Sequence, residues 1–185
     1  TCGLETYANE NGLWTVNFSP CNLRPGIGGG IGQKDANDDS TVYFWNVPNP
    51  RVMVRANDNR IEGQEWTIGS TVTVTVDDPL TPALPDITRT AVVYEASWNP
   101  GEFRFEVNMN GVYDIKTGDV VTATDGTTLK TTTVTSLVFT DINIDTDVVT
   151  GTAQAGSNVD IWTCDNNNCY NSPTVTANGS GVWSA

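Results

Sequence analysis

Apolar and polar residues alternate along much of this chain with a period of two, the mark of strands that bury one face. In Ser70–Val76, Val72, Val74 and Val76 share one face, and Thr71, Thr73 and Thr75 take the other. In Glu102–Val107, Phe103, Phe105 and Val107 alternate with Glu102, Arg104 and Glu106. Asp119–Asp125 and Thr128–Ile144 are rich in Thr and Val, which suit a pleated, half-buried surface. Val148–Ala153 and Val159–Thr163 predict a hairpin across Gln154–Asn158. No stretch carries the i, i+3, i+4, i+7 apolar stripe of a helix. Turn signals at Asn110-Gly111, Thr117-Gly118, Asp125-Gly126 and Gly156-Ser157 punctuate the strands as in a sandwich or barrel. The expected fold is all-β, with sheets packed face to face.

Two internal repeats cut across this pattern. Ala8-Asn-Glu-Asn-Gly-Leu-Trp-Thr-Val16 returns 169 residues later as Ala177-Asn-Gly-Ser-Gly-Val-Trp-Ser-Ala185. A shorter repeat sets Ile61-x-Gly63 and Gly69-Ser-Thr-Val72 beside Val149-x-Gly151 and Gly156-Ser-Asn-Val159. Self-similarity of this kind is the signature of repeat architectures. The run Val149–Val159, followed by Thr176-Ala-Asn-Gly-Ser-Gly-Val-Trp183, resembles the bacterial Ig-like repeats of secreted surface proteins and adhesins. Asn178 stands where that family usually has an acidic residue. The resemblance covers residues 136–185 well and 50–135 loosely. It implies Ig-like β-sandwiches and a surface setting rather than a particular site, because a shared fold does not carry a shared function.

The phase of the repeat sets the expected organisation. Residues 48–135 are expected as one Ig-like unit and residues 136–185 as the opening strands of a second. Residues 1–47 start with a copy of the Trp183 strand and carry on past it, so they are expected as closing strands of the kind the second unit lacks. The chain then reads as one period of a longer array, with its second unit completed by the N-terminal segment of the same or a neighbouring chain. Trp14, Val16, Val182 and Trp183 are the expected assembly strands. The expected function is structural: a subunit of an extracellular repeat fibre or surface stalk, joined head to tail to copies of itself. A carbohydrate-binding or adhesive module is the second reading, with glycans as partners.

Composition narrows the choices. Acidic residues number 22 and basic residues 9, for a net charge of −13. That balance lacks the basic footprint of a nucleic-acid binder and is repelled by anionic membranes. No apolar run is long enough to span a bilayer. Histidine is absent, which removes Ser-His-Asp and Cys-His catalysis and histidine zinc sites. Nothing singles out a catalytic pair among Glu62, Glu65, Glu95, Glu102 and Glu106, and no enzyme is expected. A start at Thr1 without Met is expected to reflect a removed leader or a longer parent protein. Cys2, Cys21, Cys164 and Cys169 allow three pairings that sequence alone does not choose among. The short Cys164–Cys169 loop favours that pair together with Cys2–Cys21, against an alternative of four free thiols. An even cysteine count with much Thr, Asn, Asp and Gly points to an oxidising, extracellular location.

The remaining chemistry lies in polar loops. Asp35-Ala-Asn-Asp-Asp39 offers Asp35, Asn37 and Asp39 as alternating oxygen ligands, the opening of many calcium loops, and Ca2+ is the expected cofactor. It lacks the following Gly and the distal Glu of an EF-hand, and a solvated loop is the competing reading. Asn57-Asp-Asn59 and the group Asp141, Asp145 and Asp147 are weaker acidic clusters; Asp77-Asp78-Pro79 reads as a strand cap. Gly26–Gly32 is expected as a flexible loop, since no helix follows to make a dinucleotide site. Of Trp14, Trp45, Trp66, Trp98, Trp162 and Trp183, the repeat-matched Trp14 and Trp183 in particular are expected in the core. Asn17-Phe-Ser19 and Asn178-Gly-Ser180 are N-glycosylation sequons.

Overall fold

The computed structural model describes residues 2–165, 168–171 and 174–185. The chain is all-β, and its sheets are antiparallel. Residues 2–27 carry one 3-10 turn, Ser19–Cys21, and no strand. A hairpin of β1 (Gly28–Lys34) and β2 (Ser40–Asn46) follows. The expected Gly26–Gly32 loop is therefore largely strand. Glycine suits it because rings of β2 lie against it: a Cβ on Gly29 would stand 2.5 Å from the Trp45 ring, and one on Gly30 3.1 Å from Phe44.

Eight strands come next: β3 (Arg51–Arg55), β4 (Arg60–Gln64), β5 (Thr71–Asp77), β6 (Ile87–Val92), β7 (Tyr94–Glu95), β8 (Phe103–Asn108), β9 (Val120–Thr124) and β10 (Leu129–Thr133). They pair into two four-stranded sheets, β3-β4-β8-β7 and β10-β9-β5-β6. The two enclose one core that includes Ile61, Trp66, Val72, Val74, Val76, Phe105, Met109 and Val121. Burying each such side chain contributes about 1.5–3 kcal/mol. Trp66 meets Phe105 edge-on at 5.5 Å and donates its indole N–H to the Arg51 carbonyl at 3.0 Å, so its polar end is satisfied. On the outer face of the first sheet, Arg104 pairs with Glu62 at 2.7 Å beneath the Trp98 ring, 5.2 Å away.

The last strands are β11 (Leu137–Asn143), β12 (Val148–Ala153), β13 (Asn158–Val159), β14 (Trp162–Cys164), β15 (Cys169–Asn171), β16 (Val175–Thr176) and β17 (Val182–Ser184). They form a β11-β12-β17 sheet and the pairs β13-β16 and β14-β15. Their core is small: Val159, Ala177 and Trp183, backed by Val149, Ala153, Ile161 and Val175. The expected hairpin across Gln154–Asn158 does not form. That turn carries the chain from one sheet to another, because β12 pairs with β11 and β17 whereas β13 pairs with β16. Cys2 bonds Cys21 and Cys164 bonds Cys169. Disulfides persist in oxidising compartments. Among the described residues no helix is long and apolar enough to cross a membrane.

Candidate assembly interface

The shorter sequence repeat is also a repeat of packing. Gly63 pairs with Phe105 across β4 and β8, and Gly151 pairs with Trp183 across β12 and β17. In both, the aromatic ring lies where a glycine Cβ would be: 2.0 Å from Phe105 and 2.2 Å from Trp183. The turns that follow match bond for bond. Ser70 donates its hydroxyl to the Thr67 carbonyl at 2.7 Å, and Ser157 to the Gln154 carbonyl at 2.7 Å. Gly69 and Gly156 hold left-handed backbone at φ +75° and +77°, which favours glycine. Val72 then faces Ala91 across β5 and β6, as Val159 faces Val175 across β13 and β16.

Extending this register pairs whole strands. β3 corresponds to β11, since Val52 and Phe139 face the matched glycines. β4 corresponds to β12 and β8 to β17. β5 corresponds to the run through β13 and β14, and β6 to β15 and β16. After β8 the central sandwich adds the hairpin β9–β10, which covers the free edge of β5. Among the described residues of 137–185 no strand pair corresponds to that hairpin. Their β11 stands exposed along its whole length, including Leu137, Val138, Phe139 and Ile142.

A hairpin of the right kind exists at the other end of the chain. Residues 9–13 fold as residues 178–182 do. Asn9 Oδ1 accepts the N–H groups of Asn11 and Leu13 at 3.0 and 2.9 Å, and Asn178 Oδ1 accepts those of Ser180 and Val182 at 2.9 and 3.0 Å. Both are local side-chain turns of the sort Asn and Asp favour. Past this copied turn, β1–β2 follows Trp14 much as β9–β10 follows Phe105. The connecting turns are related and differ by one residue: Asp35 Oδ1 accepts the N–H groups two and four residues on, of Asn37 and Asp39, and Asp125 Oδ1 those two and three residues on, of Thr127 and Thr128. The β1–β2 hairpin leaves Val42, Tyr43 and Phe44 exposed.

The predicted assembly residues separate sharply. Val182 and Trp183 lie in β17, with Trp183 only 6% exposed. Trp14 is 48% exposed, and Trp14 and Val16 lie in no strand. Trp14 is thus not a core residue: the position beside β12 that it matches is already filled by Trp183. Trp66 is buried, whereas Trp98 and Trp162 are exposed.

Asp35, Asn37 and Asp39 share the exposed β1–β2 turn, where one Asp35 oxygen already holds two backbone amides. Among the described residues, no three His, Cys, Asp or Glu side chains are grouped as a metal site. Asp77-Asp78-Pro79 does cap a strand, as Asp78 Oδ1 accepts the Leu80 N–H at 3.0 Å. Sequence gave no hint of the polar cluster beside it. Lys116 Nζ reaches Asp78 at 2.6 Å; this bond, helped by the Leu80 N–H, holds the Asp78 carboxyl below its ordinary pKa and raises that of Lys116. Burial, with Asp119 nearby, raises the Tyr113 hydroxyl. Two shallow depressions, one lined by Asn59 and Gly111–Asp114 and the other by Thr75, Asp77, Leu84, Pro85, Val120 and Thr122, lie open to solvent. Comparisons with protein-family models, curated proteins and solved structures found no match.

Proposed function

We propose that this protein is a structural subunit of an extracellular repeat fibre or surface stalk, built of Ig-like sandwiches joined head to tail. Residues 48–135 are one complete unit. Residues 136–185 open a second, and residues 1–47 supply closing strands of the kind it lacks. The observation that carries this reading is the strand-by-strand match between the two units from β3 to β8 and β11 to β17, together with the copied turn that precedes the β1–β2 hairpin. Both disulfides fit the extracellular setting. A head-to-tail contact of this kind is heterologous, so it extends into a filament instead of closing. An open sheet edge is a ready template for such a contact.

Light scattering over a range of concentrations tests this. The full chain grows in mass with concentration, and a chain lacking residues 1–46 stays monomeric. A full chain that is a monodisperse monomer at millimolar concentration removes the reading. Exposed Trp98, fixed over Arg104, supports a second reading as a glycan-binding module, because an aromatic face turned to solvent can stack on a sugar ring. A glycan array with the Trp98→Ala variant tests that one.

A further inference from the structure

The central sandwich is a template for the second unit, because its first strands match residues 137–185 and it also shows where a following hairpin docks. We infer that β1 of a second copy of this chain docks along residues 158–163, as β9 docks along β5. This rests on the head-to-tail reading above and adds to it the acceptor edge, the donor strand and their register.

The register comes from two alignments. Val159 takes the place of Val72, because each follows the matched Gly-Ser turn and each faces the matched residue on the neighbouring strand. Asp35 takes the place of Asp125, because each is the first residue after its hairpin's first strand and accepts the N–H two residues on. In the central sandwich, Thr73 pairs with Thr124, Thr75 with Thr122 and Val76 with Val121. Carried across, Asp160 meets Lys34, Trp162 meets Gly32 and Thr163 meets Ile31.

The first two of these pairings make chemical sense by themselves. Asp160 and Lys34 are opposite charges, in a chain with only nine basic residues. Trp162 is 64% exposed in the single copy and would find a glycine opposite it. A large ring set against a glycine across two strands is the arrangement already used at Gly63 and Gly151. Gly32 has no such role within its own hairpin. Its nearest neighbours to a Cβ are at 3.8 and 3.9 Å, ordinary contact, whereas Gly29 and Gly30 are crowded by Trp45 and Phe44.

The donor belongs to a second copy because of where the chain enters and leaves the central sandwich. The hairpin joins at Arg51, which faces Gln64 beside the turn into Thr71, and Asn49 N–H is held there by Glu65 at 3.0 Å. Residues 137–185 depart after Thr133, which faces Val120, itself opposite Asp77. Thr71 and Asp77 are the two ends of β5. At about 3.3 Å per residue, the two exits lie roughly 20 Å apart at opposite ends of the sheet. Copies stacked end to end bring donor and acceptor together.

Single cysteines in separate chains test this. Residues directly opposite in an antiparallel pair stand about 4.5–5.5 Å apart at Cα, within disulfide reach. Lys34→Cys mixed with Asp160→Cys, under mild oxidation, gives a disulfide-linked pair of chains. Lys34→Cys mixed with Thr140→Cys, on the exposed β11 strand of the other sheet, does not. Adding Trp162→Ser to the Asp160→Cys chain lowers the linked yield about two- to fivefold, as loss of one cross-strand aromatic contact does. If the chains grow in mass yet Lys34→Cys and Asp160→Cys do not link, or link no better than the Thr140 control, the docking register is wrong while head-to-tail assembly stands. If a chain carrying both cysteines closes on itself and the separate chains never link, the donor is not a second copy. A chain that never assembles overturns both.

Discussion

Trp14 and Trp183 are the same residue of the same repeat, and the structure assigns them opposite energetic weight. Trp183 is 6% exposed, covers Gly151 and is one of three buried residues in its small core. Trp14 is 48% exposed and pairs with nothing in a strand ladder. Truncating a buried Trp to Ala costs about 3–5 kcal/mol through lost burial and the cavity left behind. An exposed substitution away from such features stays within about 0.5 kcal/mol. Trp183→Ala is therefore expected to destabilise residues 137–185 by about 3–5 kcal/mol, and Trp14→Ala by about 0.5 kcal/mol or less. Global melting reports this poorly, because the larger core of residues 51–134 dominates the signal. Amide hydrogen exchange resolves it, read at Ala153, Ala177 and Ala185, whose N–H groups bond the carbonyls of Gly181, Ser157 and Val149. At about tenfold per 1.4 kcal/mol, protection there falls by two to three and a half orders of magnitude in Trp183→Ala, or to the unstructured limit. The measurement is made at a concentration where the chain is monomeric. Equal losses in the two variants, or unchanged protection in Trp183→Ala, would refute the assignment of the β12 neighbour position to β17.

Two further outcomes follow from single side chains. Asp35→Asn keeps the β1–β2 turn, since Asn9 and Asn178 close the same turn elsewhere, whereas Asp35→Ala costs the hairpin about 1 kcal/mol; equal populations of hairpin in the two variants by NMR would contradict this, and a calcium-induced rise in melting temperature lost in Asp35→Asn would give the loop its expected cation as well. The Asp78–Lys116 pair makes residues 51–134 sensitive at both ends of the pH scale. The lowered Asp78 value contributes stability above 3.8 that disappears as pH falls below it, and the raised Lys116 value contributes stability below 10.5 that disappears as pH rises past it. Lys116→Met reduces both losses, and a pH–stability profile identical to that of the unaltered chain would count against the pair.

The parts of the fold that could be read from sequence are those where one residue type serves one purpose. In Thr71–Asp77 the Val and Thr positions divide between core and surface as their chemistry dictates. Gly28–Lys34 was opaque because glycine marks loops and ring-covered strands alike, and Trp45 and Phe44, which decide between them, sit on the next strand. Gln154–Asn158 looked like a hairpin turn. Whether two strands joined by a short turn pair together or split between sheets depends on which neighbours bury Val149 and Val159, a tertiary matter. Asp35-Ala-Asn-Asp-Asp39 is ambiguous for a chemical reason: calcium loops and side-chain-closed turns both need an oxygen turned inward at the first position. The repeat of the two chain ends was plain in sequence. Which copy holds the slot was not, because Trp14 and Trp183 differ only in what surrounds them.

Hydrogen exchange measured on the unaltered chain at micromolar and at millimolar concentration tests head-to-tail completion most directly. In the proposed assembly the edge of residues 158–163 and the face of the β1–β2 hairpin are covered together. The account predicts that amides in residues 28–46 and 158–163 gain protection in step as concentration rises, while those of β4, β5 and β8 stay unchanged. Protection in both segments that does not depend on concentration would contradict it.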